Sequence, residues 1–173
     1  MADPNWDSGK EVKVPAQPVR GNWTCALEYV DASKRLKFVV DEMRNSEPAA
    51  PALGAAAAAE VGVQAQVNAP AQEPNKWSYA KDKECGADGD PKAPVNPSNC
   101  LITDAPPGSL IAKVGGSVAG KTSDGVKSFV VGSFCVVDLD DKTKGTLYLT
   151  MNADPMGSLT RSGYLRVRVF CSK

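Results

Sequence analysis

Histidine is absent from all 173 residues. That removes the commonest general base and the commonest transition-metal ligand, so Ser-His-Asp chemistry and His-based zinc sites are excluded. The five cysteines, Cys25, Cys85, Cys100, Cys135 and Cys171, contain no C-x-x-C pair, which speaks against zinc and thioredoxin-like chemistry. They read as core thiols or, alternatively, as carrying one disulfide, Cys85 to Cys100, across a loop rich in Pro, Gly and Asp; such a bond would mark an oxidising destination. No apolar run approaches the roughly 20 residues that span a bilayer, so no membrane span is expected. Neither sign of charge is in excess: twenty basic residues balance twenty acidic ones, and nucleic acid and anionic membranes are not expected partners. The opening Met-Ala-Asp-Pro-Asn-Trp-Asp has neither the basic nor the apolar region of a secretory signal. Two compartments stay open: cytoplasmic with non-classical release, or extracellular after loss of a leader.

Helical periodicity is also scarce, and the pattern that is present has period two. Leu36, Phe38 and Val40 share one face of a short run. From Tyr164 to Cys171, Leu165, Val167, Val169 and Cys171 face one way while Tyr164, Arg166, Arg168 and Phe170 face the other, the signature of a half-buried antiparallel strand. Further strands are expected at Glu11–Pro15, Trp23–Val30, Ser109–Val114, Ser128–Val131, Cys135–Leu139 and Thr146–Met151. Trp77-Ser-Tyr79 is expected to continue the strand begun at Leu36. Asp140-Asp-Lys-Thr-Lys-Gly145 is expected to close a hairpin. From Asn45 to Asn75 the composition shifts to Ala, Pro, Gln and Glu, which cannot supply a core and reads as an insertion. Five prolines between Pro91 and Pro107 exclude a central strand or helix interior there. The expectation is one all-β domain over residues 1–173, an antiparallel jelly-roll-like β-sandwich interrupted by the 45–75 insertion.

Three motifs invite chemistry and have plainer readings. Gly115-Gly-Ser-Val-Ala-Gly120-Lys121-Thr122 satisfies the Walker A pattern. A phosphate loop needs a following helix whose N-terminus faces the phosphate, yet turn and strand residues follow Thr122, so a Gly-rich hairpin loop is expected. Asn22-Trp23-Thr24 is a glycosylation sequon that counts only on a eukaryotic secretory route. Asp138, Asp140 and Asp141 are cation ligands by type, but Lys142 and Lys144 beside them suit a solvated turn.

Between two alternating strands lies Asn152-Ala-Asp-Pro-Met-Gly-Ser-Leu-Thr-Arg-Ser-Gly163, a loop held at both ends, where binding chemistry usually sits. From Trp77 onward the chain resembles the bacterial PA-I-type galactophilic lectins, calcium-dependent β-sandwich sugar binders. The similar stretches are Trp77-Ser-Tyr79, Gly86-Ala-Asp-Gly89-Asp90, Asp104 to Gly115, Gly145 to Asn152, and Ser162-Gly163, with weaker similarity over Val12 to Val40. By this resemblance Tyr79 is a metal position through its carbonyl, Asp90 matches an Asp near the sugar, and Asn96 replaces a Gln there. Asn152, Pro155, Ser162 and Gly163 match the loop frame. The family's metal-binding Asp is Ala153 here, with Asp154 next to it as the candidate replacement. Its loop carbonyl falls at Gly157, its paired Asn positions at Thr160 and Arg161, and a sugar-contacting His at Ala93.

Calcium takes six to eight oxygen ligands, and this loop has lost amide oxygens and gained a guanidinium. A calcium set of Tyr79, Asp154, Gly157 and Thr160 therefore competes with a metal-free loop in which Arg161 pairs with Asp154. The resemblance implies a non-enzymatic carbohydrate-binding protein for galactoside-type ligands, lined by Tyr79, Asp90, Asn96, Asn152, Asp154, Met156, Thr160 and Arg161 and multiplied in a homo-oligomer for avidity. The alternative is a structural or assembly subunit that keeps the sandwich without the sugar site. An enzyme would have to rest on carboxylates such as Asp88, Asp90 and Asp154, and none is expected.

Overall fold

The computed structural model describes residues 5–17, 23–40, 75–95, 100–117, 126–153 and 161–173. Among the described residues ten strands form in chain order: β1 (Lys10–Pro15), β2 (Thr24–Val30), β3 (Arg35–Val40), β4 (Trp77–Ala80), β5 (Lys83–Cys85), β6 (Leu110–Val114), β7 (Lys127–Val130), β8 (Phe134–Asp138), β9 (Gly145–Met151) and β10 (Ser162–Cys171). Two antiparallel sheets result, so the all-β sandwich read from alternation is the architecture found. In sheet A, β10 pairs with β1 along one edge and with β3 and β4 along the other, β8 adding to β3 and β5 to β4, and sheet B runs β2-β9-β6-β7.

Period two explains why the sheets stack. Val12 and Val14, Leu36, Phe38 and Val40, and Leu165, Val167 and Val169 bury their side chains from sheet A. Leu110, Ala112 and Val114 with Leu147, Leu149 and Met151 meet them from sheet B in one cluster. Removing this apolar surface from water is the main force holding the layers together. Phe38 and Phe129 meet edge-on across the layers, ring centroids 5.9 Å apart. Sheet B also buries part of its outer face, where Trp23, Ile111, Tyr148 and Ala105 pack beneath Leu101 and Ile102. Trp23 is the middle residue of the glycosylation sequon and is buried here; Asn22 lies outside the described residues.

The expected continuation of β3 into β4 is present in the hydrogen-bond register. Val40 pairs with Val167 and Trp77 pairs with Gly163, both antiparallel. On the far side of Gly163 the Ala16 amide donates to its carbonyl at 3.0 Å, so β4 occupies the same flank of β10 as β3. Three β10 residues separate the two pairings, whereas 36 chain residues separate Val40 from Trp77, an excess of 33. Asn75 bridges the junction: its Oδ1 accepts from Arg166 N at 2.9 Å and its Nδ2 donates to Arg166 O at 3.3 Å. Two chain segments thus act as one strand, and the rest of the 45–75 insertion lies outside the described residues.

Two expectations are corrected. Asp140 to Gly145 does not close a hairpin, because β8 pairs with β3 in sheet A while β9 pairs with β2 and β6 in sheet B. The turn residues are as read, with Asp140 Oδ1 accepting from the amides of Lys142 and Thr143 at 3.1 and 2.7 Å. Turn chemistry reports a reversal but not whether the flanking strands share a sheet, and here the chain crosses between layers. The disulfide alternative is not realised either. All five cysteines are thiols, and Cys85 Sγ donates to Gly108 O at 3.6 Å inside the core. Strand β5 was not anticipated; three residues are too few to display a period.

Gly115 onward is the hairpin expected in place of a phosphate loop, because β6 and β7 pair antiparallel from Val114↔Lys127. Lys121 and Thr122 lie outside the described residues. The acidic cluster is occupied internally: Asp138 pairs with Arg35, Asp141 accepts from Ser33 Oγ, and Asp140 caps its own turn.

Candidate functional site

One end of the sandwich gathers the described residues that the sequence marked for binding. Strand β4 carries a bulge between Ser78 and Ala80, and a bulge re-aims the side chain it contains, here Tyr79. The Tyr79 hydroxyl donates to Asp90 Oδ2 at 2.8 Å. Asp90 Oδ1 accepts from the Lys92 amide at 2.9 Å, and the Asp90 amide donates to Pro107 O at 2.9 Å. The carboxylate is therefore fixed on both oxygens.

The pair perturbs itself in the expected directions. The hydrogen bond from Tyr79, followed by the Lys92 amide, holds Asp90 below the usual carboxylate range. Burial, then the bond to Asp90, pushes Tyr79 up to about 12. At neutral pH the result is a neutral phenol donating to an anionic carboxylate, a polar rim of donor and acceptor capacity with no proton to trade.

Gly108 holds this rim against the core. With φ +79° it adopts a conformation that L side chains rarely take, and an added Cβ would stand 2.6 Å from Cys85 Sγ and 3.0 Å from Tyr79 Cδ1. Its carbonyl accepts from Trp77 Nε1 at 2.8 Å, and its amide donates to Asn152 O at 2.8 Å. Burial raises the Cys85 thiol beside it to about 11, so it is neutral packing rather than a nucleophile.

Asn152 is fully buried. Its Oδ1 accepts from Ile102 N at 2.9 Å, and its Nδ2 donates to the carbonyls of Ile102, Ala105 and Pro106 at 3.0, 3.0 and 3.2 Å. The amide is spent on shaping the 102–106 loop, so Asn152 supports the rim from below. Ala153 follows it into the core cluster, with no side-chain oxygen to offer. On the facing strand Ser162 pairs with Ser78, so Arg161 lies at the start of β10, at the end of the sheet that carries Tyr79.

Tyr79, Asp90, Asn152 and Arg161 thus converge at one end. Asn96, Asp154, Met156, Gly157 and Thr160 lie outside the described residues, as does the proposed Arg161–Asp154 pairing. Among the described residues no three His, Cys, Asp or Glu side chains group to hold a metal. Of the calcium set read from the sequence only Tyr79 is among the described residues, and Ala153 supplies a methyl group where the resemblance places a carboxylate.

The sequence reading named Asp88 only among carboxylates an enzyme would need and missed its structural role at this end. Asp88 Oδ1 accepts from the Ser133 amide at 2.8 Å, and Asp88 bridges to Ser109, which fastens the rim loop to the β7–β8 crossover. The Gly86-Ala-Asp-Gly89 sequence around it reads only as a turn, so no local signal names its partner. In comparisons with family models, with curated proteins and with solved structures, nothing matches.

Proposed function

We propose that the chain is a non-enzymatic carbohydrate-binding protein, lectin-like, with a metal-free rim for a galactoside-type ligand. The observation that carries this reading is the Tyr79–Asp90 pair, fixed on rigid strands and loops where the galactophilic lectins it resembles place sugar contacts. Sugar hydroxyls are recognised by such short, immobilised polar groups, because an ordered rim loses little entropy on binding. Binding per site would be weak, and a homo-oligomer would supply avidity.

A second reading has its own support. The Asn152 amide faces inward and Ala153 lies in the core, so two positions of the lectin frame serve the fold. A structural or assembly subunit needs no more than that fold. Calorimetric titration with galactosides, in calcium and again in EDTA, separates the readings. Heat in both buffers, lost in Asp90→Asn, supports the metal-free rim; heat only with calcium overturns its metal-free character. Silence in both favours the structural subunit.

A further inference from the structure

We propose that the outer face of sheet A binds an acidic polysaccharide, a sugar chain bearing carboxylates or sulfates. The inference goes beyond the rim and does not rest on it. The chain's overall neutrality conceals a segregated face. Opposite the core, β1 presents Glu11 and Lys13, and β10 presents Arg166 and Arg168. Strand β3 adds Arg35 and Lys37, and β8 adds Asp138. On these four strands five cations stand against two carboxylates, a local net +3 in a chain whose full sequence sums to zero, while Glu84 on β5 lies at the far edge of the sheet.

Both carboxylates are engaged within the face, Glu11 with Arg166 at 3.3 Å and Asp138 with Arg35. Among the described residues Lys13 and Lys37 have no carboxylate within ion-pair reach. Their ammonium groups sit over rings instead: Lys13 is 3.7 Å from the Tyr164 centroid, and Lys37 is 4.3 Å from Phe170 and 4.8 Å from Trp6. A ring face orients an ammonium group but satisfies none of its N–H donors. These lysines are therefore held in place with hydrogen-bonding capacity in hand, so little side-chain entropy remains to be lost when an anion arrives.

The geometry selects an extended polyanion. Strand neighbours lie about 4.8 Å apart and alternate residues along a strand about 6.8 Å apart, which spreads the cations over a flat sheet. Single-stranded nucleic acid fits less well, because base stacking needs open aromatic faces and here the ring faces carry ammonium groups.

The test uses the whole chain titrated with heparin and with polygalacturonate, at low and at physiological salt, beside neutral galactan and oligo-dT. The expected result is binding to at least one acidic polysaccharide that weakens with salt. The triple variant Lys13→Gln, Lys37→Gln, Arg168→Gln should bind at least about tenfold more weakly, and Lys142→Gln with Lys144→Gln on the crossover loop should not weaken it. If melting shows that the triple variant is unfolded, Arg168→Gln alone, at an exposed position, should still lower the salt dependence. Absence of binding to both polyanions, equal loss in the crossover-loop variant, or tighter binding to oligo-dT would overturn the proposal.

Discussion

Replacing Asn152 with alanine should destabilise the protein far more than a rim residue would. The Asn152 side chain meets four backbone groups between Ile102 and Pro106, accepting one hydrogen bond at Oδ1 and sharing the two Nδ2 hydrogens among three carbonyls. A net value of about 1 kcal/mol per bond gives about 3 to 4 kcal/mol, a large share of the roughly 5 to 15 kcal/mol that a domain possesses. At about 2 to 4 °C per kcal/mol for a chain of this size, the melting temperature should fall by roughly 6 to 16 °C. Asn152→Asp is the sharper variant, since a carboxylate keeps the acceptor for Ile102 N but turns negative oxygens toward three carbonyls. It should be at least as destabilised at neutral pH and recover in part as acid protonates it. Urea and thermal unfolding measure both variants. A loss below about 1 kcal/mol for Asn152→Ala would refute the scaffold assignment and return the residue to the ligand rim.

Replacing residues 41–74 with one threonine leaves three residues between Val40 and Trp77, the number the register requires; circular dichroism should keep its β signature, and an unfolded product would show that β3 and β4 are not one strand. Asp90 has a depressed folded value, so its contribution is present above the ordinary carboxylate range and is lost as pH falls through that folded value. Tyr79→Phe should raise the Asp90 value in a carboxyl NMR titration; an unmoved titration would mean that the phenol does not hold the carboxylate. On the alkaline side both shifts are upward, so stability should fall as pH rises from about 9 through about 12, where unfolded chains release protons from Cys85 and Tyr79 before folded ones do. Thiol titration should find five reactive groups in denaturant without reductant, with exposed Cys25 reacting in the native protein and Cys85 protected; three groups would indicate a disulfide.

Alternation made the sandwich legible because half-buried strands write their two faces into every second residue. Leu165, Val167 and Val169 are buried as read, and even the broken strand was visible in Trp77-Ser-Tyr79. Connectivity was less legible. Asp140-Asp-Lys-Thr-Lys-Gly145 has the same composition whether it turns within a sheet or crosses between sheets, and only the partners of β8 and β9 decide. At the site, Tyr79 and Asp90 were marked by resemblance, but the inward use of Asn152 depends on the 102–106 carbonyls, 46 to 50 residues away in the chain. Total charge misled in a similar way, since a sum over the chain carries no information about which face holds which sign.

The junction of β3 and β4 has a use as well as an origin. Val40 and Trp77 lie four strand steps apart, roughly 13 Å, a span that the neighbouring ends of a small folded domain can bridge. The sandwich already closes around a 36-residue excursion at this point without losing pairing on either side. A fluorescent or enzymatic guest grafted between them would be carried in the middle of a sheet rather than on a tail. Its motion would then be tied to the host's core, which makes the position suited to reporters of host unfolding.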